Sequence, residues 1–111
     1  MNQSRDEKLA FRERRSIPRF EIEAPIELSD PSTRARILGR VTEISQDGCF
    51  AEIPNVLKVD FVARLRVYRS GRTFRCWARV IHNRSRNGIG LHFIHPAPDQ
   101  AKLLSGWLSE V

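Results

Sequence analysis

Arg14, Arg15 and Arg19 put three guanidinium groups into the six residues Arg14-Arg15-Ser16-Ile17-Pro18-Arg19, a stretch too short and too polar to build core. Arg15 and Arg19 are four apart. That spacing gives them one face in a helix and one parity in an extended strand, so either geometry lets both reach one object. A guanidinium forks onto phosphate oxygens and stacks on flat rings. It also takes guanine O6 and N7 through two parallel hydrogen bonds, worth about 1–3 kcal/mol of discrimination. Composition leaves two readings open: a solvated charge cluster, or cationic arms for a small anionic ligand.

A second polar stretch, Glu43-Ile44-Ser45-Gln46-Asp47-Gly48, separates two strand-like runs. The Glu43 carboxylate complements the N1–H and N2–H donors of a guanine edge. Ser45 carries a small hydroxyl suited to a phosphate, and Gly48 leaves the backbone open to close approach. Ser, Asp and Gly are also ordinary turn residues, so this stretch alone reads either as a turn or as a receiving surface.

Other chemistries find less support. His82, His92 and His95 are the only histidines, and none has a Cys, Ser or carboxylate at motif spacing. Gly88-Ile89-Gly90 is too short for a phosphate loop and no helix follows it. Catalysis is therefore not expected. Cys49 and Cys76 lack Cys-x-x-Cys or Cys/His spacing and read as buried free thiols, so no metal and no cofactor are expected. The 19 basic residues outnumber the 13 acidic ones, for a net charge of +6, and only Lys8, Lys58 and Lys102 are lysines. An arginine-dominated excess suits an anionic partner, although a basic surface without a partner has the same composition. The N-terminus has no apolar run of a signal peptide, and no run approaches the roughly 18 residues of a membrane span. A cytoplasmic protein without membrane contact is expected.

The elements that must position these groups are short strands. Phe20 to Leu28 alternates, with Phe20, Ile22, Ala24, Ile26 and Leu28 on one face; Pro25 on the polar parity suggests an edge or a bulge. Thr33 to Ile44 follows after a turn at Ser29-Asp30-Pro31-Ser32, with Ala35, Ile37 and Val41 on one face, and Gly48 to Ile53 is a third strand. Strict alternation gives Glu43 the parity of Val41, so a bulge or strand end must re-aim it. Phe61 to Tyr68 and Phe74 to Ile81 flank a Ser70-Gly71 turn. Counting from that turn sets Val67 opposite Phe74, Leu65 opposite Cys76, Ala63 opposite Ala78 and Phe61 opposite Val80. On the other face Arg66 meets Arg75 and Arg64 meets Trp77, an arrangement unfavourable for the first pair and favourable for the second. His82 takes the apolar parity, Asn83 to Asn87 reads as a loop, and Gly88 to Ile94 is the last strand. Pro98 opens a helix packed through Leu104, Trp107, Leu108 and Val111. The expected fold is mostly all-β: a six-stranded antiparallel barrel with a C-terminal α-helix. Residues 1–11 are expected to be a flexible N-terminal arm and 12–111 the barrel domain.

Taken together, Arg15-Ser16-Ile17-Pro18-Arg19 ahead of the first strand and Glu43-x-Ser45-x-x-Gly48 after it resemble the PilZ domain family of bacterial cyclic di-GMP receptors. The family signature is Arg-x-x-x-Arg followed by Asp/Asn-x-Ser-x-x-Gly. Arg14 occupies the position of a frequent upstream arginine, and Gly88-Ile89-Gly90-Leu91-His92-Phe93 resembles the family's last strand. The likeness runs from about Arg12 to Val111. It implies a second-messenger receptor in which the arginine arm closes over cyclic di-GMP on the outer barrel wall. Arg14, Arg15 and Arg19 would grip guanine edges and phosphates, Glu43 would accept from a guanine, Ser45 would bond the ligand and Gly48 would admit it. Trp77 is a further candidate for a base contact, or it simply packs under Arg64. Glu43 departs from the signature by one methylene. Two alternatives remain at this level: a PilZ-like adaptor that contacts a protein partner without ligand, or a basic barrel binding single-stranded nucleic acid. The second is disfavoured, because most of the few aromatics fall on core parity.

Overall fold

The computed structural model describes residues 17–84 and 88–111; the expected arm over residues 1–11 lies outside them. Seven strands and one helix follow in order: β1 (Arg19–Phe20), β2 (Ala24–Ser29), β3 (Arg36–Ser45), β4 (Gly48–Glu52), β5 (Val62–Arg69), β6 (Arg72–Arg84), β7 (Gly88–Ile94) and α1 (Pro98–Ser109). Six of the strands pair antiparallel in the order β3-β2-β5-β6-β7-β4, and the β3–β4 pairing closes them into a barrel. Closure leaves no long open edge among these six.

The first alternating run is broken in two. Arg19 and Phe20 pair with Ser45 and Ile44 of β3, while Ala24 pairs with Val41. Three residues on one side therefore oppose two on the other, and β1 forms a short annex beside the barrel strand β2. Pro25 pairs with Arg40 of β3, but the pairing of β2 with β5 starts only at Ile26. The missing proline N–H thus falls where β2 lacks its second neighbour.

Alternation is obeyed through the core. Ile26, Leu28, Leu65, Val67, Phe74, Val80, Ile89 and Leu91 are buried inside the barrel. The β5–β6 register is the one counted from the turn, with Val67 opposite Phe74, Leu65 opposite Cys76 and Ala63 opposite Ala78. Ser70 and Gly71 both take positive φ (53° and 74°), the backbone of a type I′ turn. Arg64 and Trp77 face each other with the guanidinium carbon 4.9 Å from the ring centre, and the Arg66–Arg75 opposition is relieved by Glu27, 4.0 Å from Arg66. The helix closes one side of the core: Leu104 and Trp107 are buried, and the Trp107 ring meets Phe74 edge-on at 6.4 Å. The Gln100 side-chain carbonyl accepts the Arg75 backbone N–H at 2.7 Å.

Four local expectations change. Val111, expected on the packed face of the helix, lies past the helix end at Ser109 and is exposed. Ala35 is exposed, because Arg34 takes a positive φ of 63° and the strand begins only at Arg36. β6 continues through Asn83 and Arg84, which pair with Ile89 and Gly88, where a loop was expected. His82 lies outside the barrel, since a register shift between Val80 and His82 interrupts the alternation. Its ring covers Gly90 so closely that a Cβ there would sit 2.5 Å from Nε2.

Candidate functional site

A groove of about 780 Å³ runs along the outer wall, where the turn between β3 and β4 meets the end of β7. Arg19, Glu43, Ser45, Asp47 and Gly48 line one side. The sequence alone allows Glu43 to point inward with Val41. A register shift between those two residues, Val41 opposite Ala51 but Glu43 opposite Phe50, supplies the bulge that turns it out. Val41 and Ile44 stay buried while the Glu43 side chain is 41% exposed. Arg19, paired with Ser45, lies diagonally from Glu43, and its Nη1 is 3.5 Å from Glu43 Oε1. Exposed ion pairs of this kind contribute at most about 1 kcal/mol, little enough for a ligand to displace.

Ser45 is already engaged. Its buried hydroxyl donates to Asp47 Oδ1 at 2.6 Å and accepts the Asp47 N–H at 3.4 Å. The Asp47 carbonyl in turn accepts the Phe93 N–H at 2.8 Å, which ties the turn to β7. Gly48 has a packing reason to be glycine: a Cβ there would lie 2.2 Å from the Leu91 carbonyl oxygen. The Ser105 hydroxyl on α1 donates to the Gln46 side-chain carbonyl at 3.2 Å, so the helix also touches this turn. The signature stretch is therefore a hydrogen-bonded corner that holds Glu43 and the turn backbone at the groove.

Of the residues singled out in the sequence, Arg19, Glu43, Ser45 and Gly48 meet in one groove. Arg14 and Arg15 lie outside the described residues. Trp77 does not line the groove; Arg64 covers its ring instead. The opposite wall contains residues not singled out for a site: Asp60, Arg79, His92 and His95. Asp60 and His95 both hold positive φ, 76° and 40°, a backbone conformation found more often at functional positions than elsewhere. The pairings of Gly48 and Arg79 with His92 bring this wall to the signature corner. These are long-range contacts to which no local spacing points.

Cysteine chemistry is suppressed. Burial, reinforced by the neighbouring Cys76, pushes the Cys49 thiol far up, and burial pushes Cys76 up to about 12. Among the described residues no group of three His, Cys, Asp or Glu side chains is placed to hold a metal ion, and no helix is long and apolar enough to cross a membrane.

Comparison with known proteins gives the same outline. Among solved structures, the PilZ domain of CeSA from a cellulose-synthesizing bacterium aligns at a TM-score of 0.63 and 20% identity, covering 81% of this chain and 97% of its own. The PilZ domain of YcgR from Escherichia coli, solved with c-di-GMP, aligns at 0.69 and 13% identity, covering 83% and 86%. YcgR in complex with c-di-GMP aligns at 0.74 and 16% identity over 87% of this chain, which spans 45% of that longer chain. No curated protein matches. At these identities the structural neighbours speak for the fold, a closed barrel with one annexed strand and a C-terminal helix. The PilZ domain family matches residues 13–110, from just before Arg14 to just past the end of the helix, and the chain therefore belongs to the PilZ domain family.

Proposed function

We propose that this protein is a receptor for cyclic di-GMP, binding the dinucleotide in the groove without chemical turnover. One observation carries the reading: Arg19, Glu43, Ser45 and Gly48 share a single groove in a PilZ domain, and YcgR, a neighbour in fold, was solved with c-di-GMP. Arg15 and Arg19 grip guanine edges and phosphates, assisted by Arg14. Glu43 accepts from a guanine N–H, Ser45 orders the turn and bonds the ligand, and Gly48 lets the ligand reach the backbone. The arginine-rich N-terminal arm orders over the ligand as its guanidinium groups engage. The ordering cost lowers net affinity, and the difference between free and bound arms makes the event a switch read by a downstream protein. Ion pairing to two phosphates weakens as salt rises.

A second reading, an adaptor that has lost its ligand, is favoured by one feature: Glu43 stands where the family signature has Asp or Asn, and it already holds Arg19 at 3.5 Å. Calorimetric titration with cyclic di-GMP, GTP and a short oligonucleotide separates the readings. Cyclic di-GMP binding by the wild type that disappears in Arg15→Ala/Arg19→Ala supports the receptor. Absence of binding to all three points to the adaptor. Oligonucleotide binding that survives the double substitution points to a nucleic-acid barrel. That third reading is disfavoured because Trp77, an exposed ring on the basic face, is covered by Arg64.

A further inference from the structure

The far wall of the groove carries a cation that the signature does not include. Arg79 on β6 lines the groove and is exposed. Its register partners are Val62 on β5 and His92 on β7, and His92 is in turn the partner of Gly48 on β4. Gly48, His92 and Arg79 therefore form one row across three adjacent strands. Arg79 stands two strand spacings, about 10 Å, from the signature corner.

Its electrostatic position differs from that of the arginines engaged on the neighbouring strands. Arg19 is held by Glu43, Arg66 lies 4.0 Å from Glu27, and Arg64 is stacked on Trp77. Among the described residues Arg79 has no hydrogen bond or ion pair of its side chain to any carboxylate. Two of the groove's carboxylates are committed at the other wall, Glu43 to Arg19 and Asp47 to the Ser45 hydroxyl, and the third, Asp60, lines the same wall as Arg79 but is not within ion-pair distance of it. An unpaired guanidinium beside a histidine, facing a ready-made groove, is a fork without an acceptor. Cyclic di-GMP carries two phosphates and two guanines, so one grip at Arg19 leaves an anionic group and a guanine edge for a second.

We infer that Arg79, flanked by His92, is a second anion-binding contact for the dinucleotide, so that the ligand bridges the two walls of the groove. This inference rests on the receptor reading above. It adds a specificity element: a mononucleotide, with one phosphate and one guanine, offers the two walls fewer groups than the dinucleotide does.

The test is calorimetric titration of cyclic di-GMP into wild type, Arg79→Ala and Arg75→Ala. Arg75 is an outward arginine of the same strand that does not line the groove. Arg79→Ala is expected to bind at least about tenfold more weakly, the usual loss for a hydrogen bond to a charged group, while Arg75→Ala binds as wild type. Thermal unfolding of the three proteins checks that the fold is equally intact. Wild-type affinity in Arg79→Ala, or an equal loss in Arg75→Ala, overturns the second contact and leaves the receptor reading standing. No binding by the wild type overturns both. A smaller loss for GMP than for cyclic di-GMP on Arg79→Ala supports the bridging geometry, and an equal loss overturns it.

Discussion

Arg19 and Glu43 face each other diagonally across the β1–β3 pairing, with Nη1 3.5 Å from Oε1. The contact joins the cationic and receiving halves of the signature before any ligand arrives. It exists because the bulge between Val41 and Glu43 turns the carboxylate outward and because β1, separated from β2, lies alongside the end of β3. A ligand anion must compete with Glu43 for Arg19.

Shortening the carboxylate should ease that competition. Glu43→Asp retains the acceptor but withdraws it from Arg19, and cyclic di-GMP should bind up to about fivefold more tightly, the worth of an exposed ion pair. Calorimetry on the two proteins measures this directly. Equal or weaker binding by Glu43→Asp would show that the added methylene does not hinder the site.

Gly48 should matter to the fold whether or not ligand is present. Its missing Cβ is the space taken by the Leu91 carbonyl, 2.2 Å from where that atom would be. Gly48→Ala should destabilise the ligand-free protein by about 1–3 kcal/mol as the β4–β7 pairing is pushed apart. Urea unfolding without ligand reads the effect, and an unchanged midpoint would leave Gly48 with a ligand role alone.

The β5–β6 turn should accept improvement. Ser70 holds φ at 53°, a conformation that costs a non-glycine residue but that asparagine tolerates well. Ser70→Asn creates the Asn-Gly pair preferred in type I′ turns and should stabilise by about 0.5 kcal/mol. A lowered melting temperature would contradict the turn assignment.

Alkaline pH should expose the two thiols energetically. In the folded protein burial lifts both above the ordinary thiol value of 9.0, Cys76 to about 12. Above pH 9 the unfolded chain therefore binds fewer protons than the folded one, and stability falls as pH rises through that value toward 12. Relative to wild type, Cys49→Ala/Cys76→Ala should lose less stability between pH 8 and about 10.5. At neutral pH both thiols should resist a thiol-specific reagent until the protein is unfolded.

Much of this protein is legible in its chain because strand alternation and two-residue turns are local signals. Phe74 through Ala78 could be set against Val67 through Ala63 by counting from Ser70-Gly71, and the structure has that register. The helix face of Leu104 and Trp107 was readable for the same reason, as was the need for a device to re-aim Glu43. Period-two alternation says which face a residue takes, but not which distant strand will lie beside it. Barrel closure brings Gly48 to His92 and His92 to Arg79, and packing of the whole sheet chooses those neighbours. Bulges escape the pattern too, since one extra residue near Ile81 was enough to move His82 from the core parity to the outer wall. The groove's signature wall was thus written in the order of residues along the chain, and its far wall arose only when the sheet closed on itself.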